Sequence, residues 1–508
     1  MDKNKRIAIW LPVIIAASIA LGIFIGNHYL SISTGKFRSY ASGNKINAIL
    51  DIIDEQYVDT VNMSQLVEGA IPKIFSELDP HSGYIPAADA QMVNEELEGS
   101  FSGIGVSFNL QTDTILVISV IPGGPSEKAG LLAGDRIITI NDSLFAGNNS
   151  SQGKIMKTLR GAKNSVVKLG IKRSTSQDLL YFNVTRGDVP VNSVDVAYVV
   201  REGVGYIKVN KFARTTYNEF MANGRLIVYT EGKAFPRNDV YANGTGTCQD
   251  APIVVLTDEF SGSASEIFAG AIQDNDRGLI IGRRTYGKGL VQSQIPLSDG
   301  SALRLTIARY YTPSGRCIQK DYELGKTDEY DQDLFNRFMH GEFDSADSIK
   351  INNSLKYQTS LGRTVYGGGG IMPDIFIPRD TSGVTSYFSN VINSGVLNLF
   401  TLEYSDNNRE KLSSFKTYQE LYNYLKKQPL LDKFTNYAVS KGIRKRVTLI
   451  NISAKLIENQ LHSYIVRNFF NDEGFYPIFL KDDVTLLKAV EVIEQGKSMP
   501  QAPKQAKQ

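Results

Sequence analysis

Apolar positions in the middle of the chain form a short continuous run and then change to a helical spacing. Residues 253–257 are rich in β-branched side chains, which is typical of a buried strand. Small residues follow at 261–265. Apolar residues then recur at the spacing of one helix face, at Ile267, Phe268, Ala271 and Ile272. The pattern predicts a strand that turns sharply into a helix, with Ser263 at the corner.

Ser263 has two interpretations at this point. A serine at a helix N-terminus lies where backbone N–H groups and the helix dipole stabilise an oxyanion, so it could act as a nucleophile. Ser263 and Glu266 also form a Ser-x-x-Glu pattern, which is typical of a capping box with a purely structural role. The pattern alone favours the structural interpretation.

Lys288 lies between Gly287 and Gly289. Flanking glycines disfavour a helix interior, so we expect this lysine on a loop whose backbone can approach another segment closely. A Gly-Lys-Gly sequence alone is equally typical of a solvated turn.

Helical spacing dominates both ends of the chain. Residues 44–97 predict an N-terminal helical segment, interrupted at residues 79–84 by a turn that contains His81. Residues 384–495 predict several amphipathic helices, among them 418–425 and 449–465. These C-terminal helices could form an interaction or homo-oligomerisation surface or a simple helical cap, and the sequence leaves both open.

Strands and an insertion lie between these helical regions. Residues 203–212, 300–316 and 375–377 have the alternation or the β-branched content of strands. Residues 321–356 are polar and in part acidic, which predicts a surface insertion. The tail at 496–508 is rich in Pro, Gln and Lys and is predicted to be disordered.

The N-terminus carries a membrane signal. Basic residues within 1–6 precede an uncharged run at 7–26, which is about as long as a bilayer span. Basic residues before a span keep the N-terminus in the cytoplasm. The run therefore predicts a single-pass inner-membrane anchor with the rest of the chain facing the periplasm. A cleaved signal peptide that ends near Ala20 is the alternative.

Composition excludes several classes of protein. A chain of 508 residues predicts about two to four domains, and a net charge of +2 gives no electrostatic case for nucleic acid. Cys248 and Cys317 are too few for a disulfide framework and are expected to be separate thiols, although they could pair in an oxidising compartment. No cluster has metal-ligand spacing, and no cofactor is implied.

Two stretches of the chain, read together, resemble a known active-site signature. Residues 258–273 contain a Ser-Ala-Ser-Glu turn, and residues 285–292 contain Thr-Tyr-Gly-Lys-Gly-Leu-Val-Gln. They resemble the C-terminal processing peptidases (tail-specific proteases), which are serine proteases with a Ser-Lys dyad. Residues 302–316 and 369–374 extend the resemblance. It implies an α/β, crotonase-like protease core at 190–380.

The resemblance assigns roles to four residues. It implies Ser263 as the nucleophile, Lys288 as the general base, Gln292 as the residue that orients Lys288, and the Ala264 N–H as an oxyanion donor. The chemistry suits them, because a serine needs a base and a lysine can be that base only when neutral. Of the four histidines, none lies in a corner like that of Ser263. The turn that contains His81 resembles an Asp-Pro-His-Ser-x-Tyr motif of the family, which implies a structural role for this histidine.

Residues 98–178 resemble an inserted PDZ domain. The loop formed by Gly103, Ile104, Gly105 and Val106 is similar to the loop that holds a substrate's free carboxylate in such domains. Short strands at 115–121 and 136–140 and a helix at 152–159 complete the pattern. A PDZ domain binds a peptide as an added strand. The alternative is a small β domain whose glycines only make turns.

The sequence departs from the family near residues 221–225. A strand, a Gly-Gly loop and a helix are expected there, and about 35 to 40 residues are absent. That loop donates the second oxyanion N–H in the family, and losing such a donor costs about 3 kcal/mol. Another segment could fill the place, or the enzyme could be impaired.

The sequence therefore predicts a serine endopeptidase that recognises the C-termini of periplasmic proteins through its PDZ domain. The alternative is a catalytically impaired PDZ scaffold that binds peptides and lacks a complete oxyanion hole.

Overall fold

The structure is a computed structural model that describes residues 18, 19, 21, 45–90, 93, 100–111, 114–173, 175–190, 193–212 and 220–502. Its contacts divide the chain into residues 1–73 and residues 74–508. Helices and strands are both present in the larger unit, so the predicted mixture of α and β structure is confirmed.

The smaller unit contains helix α1 (Lys45–Gln56) and most of helix α2 (Met63–Ser76). The predicted cytoplasmic tail at 1–6 and the predicted span at 7–26 lie outside the described residues, apart from Ser18, Ile19 and Leu21. In the described part of the chain, no helix combines the length and the apolar character that crossing a membrane requires. This finding contradicts the predicted single-pass location in the inner membrane. The prediction came from an uncharged run, whereas a span needs about 20 apolar residues in one helix.

Strand β1 (Gly83–Ile85) begins the β structure of the larger unit, and an antiparallel sheet follows it. Its strands are β3 (Val106–Gln111), β4 (Thr114–Val120), β5 (Arg136–Ile140), β6 (Ser143–Leu144), β7 (Val166–Lys172) and β8 (Leu180–Thr185). They have the order β3-β4-β5-β7-β8, with β6 paired to β5. A separate pair joins β2 (Ser100–Gly103) to β9 (Gly187–Pro190). Helices α3 (Pro125–Ala129) and α4 (Gln152–Leu159) complete this region, and α4 has the predicted bounds.

The sheet packs on a single apolar core. Ile115, Ile137, Leu169 and Val184 contribute one side chain each from β4, β5, β7 and β8, and all four are fully buried. Ile155 of α4 packs against them. Among the described strands, β3 is the terminal strand of this sheet and pairs only with β4. Its outer edge is therefore available for the addition of another strand.

Two further sheets surround the corner at Ser263. The strands of these sheets and of two hairpins are β10 (Val194–Arg201), β11 (Val204–Val209), β12 (Leu226–Glu231), β13 (Asn238–Tyr241), β14 (Val254–Thr257), β15 (Leu279–Gly282), β16 (Leu290–Pro296), β17 (Ala302–Tyr311), β18 (Lys356–Gln358), β19 (Thr364–Tyr366) and β20 (Ile375–Phe376). The first sheet has the antiparallel order β1-β17-β12-β13, with β16 paired to β17, and the second is parallel with the order β14-β15-β20. The hairpins are β10-β11 and β18-β19. Helix α5 (Ala264–Asp274) lies between β14 and β15, and helix α6 (Thr327–Met339) follows β17.

The chain around the predicted absent segment is described from residue 220 onward. Met221 is buried and packs in the same cluster as Ile267 and Ile272 of α5. The Arg277 Nε donates to the Phe220 carbonyl at 3.1 Å. The described part of this connection therefore lies against α5. Among the described strands, β14 pairs only with β15 and β11 only with β10, and the absence of a strand between them stays a prediction.

The C-terminal region is helical, as the spacing predicted. Its helices are α7 (Ser386–Asn393), α8 (Val396–Asn407), α9 (Arg409–Leu412), α10 (Tyr418–Leu425), α11 (Leu430–Ser440), α12 (Val447–Phe479) and α13 (Val484–Glu494). Helices α7 to α12 share one core, in which Leu421, Phe434 and Leu461 are fully buried.

The last helix, α13, packs elsewhere. Its Leu486 and Val490 contact Val204 of β11 and Leu256 of β14, and Val492 lies in a cluster with Ile281 of β15. Helix α13 therefore covers the parallel sheet whose first strand leads to Ser263. The predicted tail at 496–508 is described only as far as residue 502.

Candidate active site

The strand-to-helix corner at Ser263 has a strained backbone. Strand β14 ends at Thr257, helix α5 begins at Ala264, and Ser263 between them has φ 54° and ψ −115°. A positive φ is costly for a residue with a side chain, and such strain often occurs where a side chain must be held in a fixed direction. The corner therefore presents Ser263 at the N-terminus of a buried helix.

Glu266 joins this corner to the loop that carries Lys288. Its side chain is fully buried, and one carboxylate oxygen accepts the Ser263 N–H at 2.9 Å and the Lys288 N–H at 2.8 Å. The other oxygen accepts the Gly287 N–H at 2.7 Å and the Thr285 hydroxyl at 2.5 Å. Because both segments bind one carboxylate, Ser263 and Lys288 lie close together in the fold.

This carboxylate was interpreted from the sequence only as half of a capping box. The Glu266 half of that box is present, since Glu266 accepts the Ser263 N–H. The Ser-x-x-Glu spacing could reveal this bond, but it gave no sign of the three donors from residues 285–288. Burial raises the pKa of Glu266, and the four hydrogen bonds oppose that rise.

Lys288 lies on an extended loop before β16, as predicted, and is half-buried. Burial lowers the pKa of its ammonium group below the usual lysine range, and the positive charge of Arg304 lowers it further. Asp79 and Glu266 oppose these effects. The environment therefore shifts the pKa of Lys288 in the direction that a general base requires.

Gln292 lies on β16 and connects to the turn before β1. Its side-chain amide donates to the Thr306 hydroxyl at 3.3 Å, and that hydroxyl donates to Asp79 at 2.8 Å. Gln292 therefore lies in a polar cluster with Thr306 and Asp79, and the negative charge of Asp79 acts on the pKa of Lys288.

His81 belongs to the same cluster. Its Nε2 lies 3.1 Å from the Tyr330 hydroxyl. Burial and the charge of Lys288 lower the pKa of His81 to about 4, so its imidazole is neutral near pH 7.

Helix α6 contributes residues that the sequence analysis placed in a surface insertion, and this expectation is wrong. Tyr330 and Arg337 are 3% and 5% exposed. Tyr330 contacts His81, and Arg337 donates to the backbone of the lysine loop. The available signal was the spacing of Tyr330, Leu334 and Arg337, which lie on one helix face, but the charged residues between them hid it.

The predicted carboxylate-binding loop lies at the free edge of the sheet. Gly103 ends β2, Ile104 is buried in the core and Val106 begins β3. Gly105 has φ 73°, and a Cβ at this position would lie 3.2 Å from Pro125 Cδ. The loop therefore needs glycine for its backbone geometry and for its close packing.

Cysteine thiols and groups of metal-ligating side chains are the other features that could bind a cofactor or a metal ion. Cys248 and Cys317 are both free thiols. Within the described ranges, no group of three or more His, Cys, Asp or Glu side chains is arranged to hold a metal ion.

Comparisons with known families match four parts of the chain. Residues 212–328 match Peptidase family S41, and residues 102–194 match the PDZ domain. Residues 30–88 match the N-terminal domain of the activating protease CtpB. Residues 387–471, which form most of the C-terminal helical core, match a family of unknown function.

Curated relatives share these regions. The chain is 32% identical over 316 residues to the carboxy-terminal processing protease CtpB of Bacillus subtilis, which covers 54% of this chain and 65% of that protein. It is 32% identical over 324 residues to the carboxy-terminal-processing protease of Bartonella bacilliformis, which covers 55% of this chain and 73% of that protein. A solved photosystem II D1 C-terminal processing protease is 24% identical, with 55% of this chain and 90% of that chain covered, at a TM-score of 0.29.

The identity to the Bartonella protein extends over most of that protein's length, and the peptidase and PDZ matches include the Ser263 corner, the Lys288 loop and the Gly103–Val106 loop. The chain therefore belongs to the carboxy-terminal processing proteases of peptidase family S41, a family of serine-type peptidases with a PDZ domain.

Proposed function

We propose that this protein is a serine endopeptidase in which Ser263 and Lys288 act as a catalytic dyad. The observation that carries the proposal is the buried Glu266 carboxylate, which binds the backbone of the Ser263 corner and of the Lys288 loop at the same time. The strained backbone of Ser263 and the lowered pKa of Lys288 support it. Each of these features suits a nucleophile and its base better than a simple helix cap.

The dyad acts in two half-reactions. The neutral Lys288 amine takes the proton of the Ser263 hydroxyl while the serine oxygen attacks a peptide carbonyl. The Ala264 N–H, at the start of α5, stabilises the oxyanion of the tetrahedral intermediate. Lys288 then protonates the leaving amine. In the second half-reaction it takes a proton from water, which hydrolyses the acyl-enzyme, and the proton returns to Ser263.

Gln292 positions the amine in this scheme. Its hydrogen bond to Thr306 links it to Asp79, whose negative charge acts on the pKa of Lys288. A side chain held in this way restricts the rotamers of a neighbouring lysine without adding charge.

The PDZ domain delivers the substrate. We assign the capture of a free C-terminal carboxylate to the backbone of Gly103, Ile104, Gly105 and Val106, at the end of the exposed edge of β3. Backbone N–H groups in such a loop bind an anion, and the β3 edge accepts the peptide as an added strand. The substrates are then protein chains whose C-termini are accessible.

The rest of the domain plan is part of the same proposal. We assign 44–97 to the N-terminal helical segment, 98–178 to the PDZ domain, 190–380 to a crotonase-like protease core and 384–495 to the C-terminal helical region. The parallel sheet β14-β15-β20 and helix α5 support the assignment of the core.

Turnover of a peptide with a free C-terminus tests the proposal. Wild type should cleave the peptide and react with a fluorophosphonate probe, whereas Ser263→Ala should do neither. Lys288→Ala should lose turnover and still bind the peptide, because the PDZ domain is intact. Equal background turnover in all three proteins would refute the peptidase and leave a peptide-binding scaffold.

A further inference from the structure

Arg337 of helix α6 is a buried arginine whose guanidinium group faces the lysine loop. Its Nη1 donates to the Thr285 carbonyl at 3.0 Å, and its Nη2 donates to the Arg284 carbonyl at 2.9 Å. Its Nε donates to Glu342 at 2.9 Å. Burying a guanidinium group is costly unless its N–H groups are satisfied. Here two of the acceptors that satisfy it are backbone carbonyls three and four residues before Lys288.

Glu342 also binds Arg284, which lies on the lysine loop. Arg284 donates to both oxygens of this carboxylate, through Nε at 2.7 Å and Nη2 at 2.6 Å. Glu342 is itself buried, so the loop is fixed to the segment after β17 through both its backbone and its side chain. Forked arginine–carboxylate pairs of this kind constrain geometry as well as charge.

Thr285 transmits this constraint to the site. Its carbonyl is held by Arg337, while its hydroxyl donates to Glu266. Glu266 in turn binds the N–H groups of Ser263 and Lys288. A continuous chain of hydrogen bonds therefore runs from α6 to both segments of the site.

We propose that Arg337 is a positioning residue that fixes the loop 284–288 against the Ser263 corner. Arg337 reaches the loop only through backbone and carboxylate oxygens, and it acts through the position of Lys288. The effect on turnover rests on the proposed dyad, whereas the effect on the loop itself does not.

Three variants separate positioning from general stability. Arg337→Met removes the fork and keeps a side chain of similar bulk, and Arg337→Lys keeps the charge but can reach fewer of the acceptors. Arg363→Met is the matched control. Like Arg337, Arg363 donates to three acceptors, but these are two carboxylates and one backbone carbonyl, those of Asp276, Asp374 and Gln273, at the other end of α5.

Two measurements decide the question. The first is kcat and KM for peptide cleavage, and the second is hydrogen exchange of the Gly287 and Lys288 amides, which does not depend on activity. We expect Arg337→Met to lower kcat by up to about 100-fold with little change in KM, because small misplacements of reacting groups are costly. The kcat of Arg337→Lys should lie between the values for Arg337→Met and wild type. Both amides should exchange faster in the Arg337 variants and at the wild-type rate in Arg363→Met.

The proposal is overturned if the loop amides keep their wild-type exchange in the Arg337 variants. It is also overturned if Arg363→Met lowers kcat as much as Arg337→Met does. If wild type has no peptidase activity, the proposed function fails, and the exchange rates alone then decide whether Arg337 fixes the loop. If Arg337→Met does not fold, Arg337→Lys is compared with the control by the same two criteria.

Discussion

Replacing Glu266 with glutamine tests whether one carboxylate holds the two halves of the site together. The side chain accepts four hydrogen bonds, two on each oxygen, from Ser263, Lys288, Gly287 and Thr285. Glutamine has nearly the same shape but one acceptor oxygen. It can keep the two bonds on one side, while its NH₂ group faces two donors on the other side.

The magnitude follows from those two donors. A buried donor without an acceptor costs about 1–3 kcal/mol, so two of them cost about 2–6 kcal/mol of unfolding free energy. Burial raises the pKa of Glu266, which means that the carboxylate already pays a desolvation cost that a neutral amide avoids. We therefore expect Glu266→Gln to lose stability in the lower half of that range, about 2–4 kcal/mol.

Denaturant unfolding measures this loss, and the rate of fluorophosphonate labelling measures the effect on the site. Asp274→Asn is the control, because Asp274 is another buried acid on α5 and binds Ser314 and Arg316 at the opposite end of the helix. Both variants should be destabilised, but only Glu266→Gln should label slowly. A wild-type unfolding free energy for Glu266→Gln, or equal labelling rates in the two variants, would refute the reasoning.

Two further predictions concern the base and the peptide-binding loop. Activity should rise with pH as Lys288 becomes neutral. Arg304→Gln should move this rise to higher pH, because removing a positive neighbour raises the pKa of the lysine. The pH profile of kcat/KM checks this, and Arg309→Gln on the same strand should leave the profile unshifted. Gly105→Ala and Gly123→Ala place alanine at the same φ of 73°, which costs about 1–2 kcal/mol. Fluorescence anisotropy should show that only Gly105→Ala weakens the binding of a peptide with a free carboxylate, because only its Cβ meets Pro125; equal losses in both variants would contradict the assigned loop.

The sequence predicted the features of the site that depend on neighbouring residues. The strand before Ser263, the helix after it and the loop around Lys288 all follow from local spacing and from glycine placement, and the structure contains all three. Helix α4 and the core strand β5 were placed with their observed bounds through the resemblance of residues 98–178 to a PDZ domain.

Contacts between segments that are distant in the sequence could not be predicted from it. Nothing in the order of residues reveals that Glu266 accepts from Gly287, or that Arg337 binds the carbonyl of Thr285, because these bonds form only after two sheets and a helix have packed together. The polar composition of α6 concealed its buried face. The uncharged N-terminal run led to a membrane location that the described helices contradict.

Helix α13 is synthesised long after the parallel sheet that it covers. A ribosome makes the chain from the N-terminus, so Ser263 and Lys288 emerge about 200 residues before the helix at Val484–Glu494. Strands β14 and β15 lack their apolar cover until that helix arrives. The parallel sheet that leads to Ser263 therefore has both of its faces covered, one by α5 and the other by α13, only after α13 has been made.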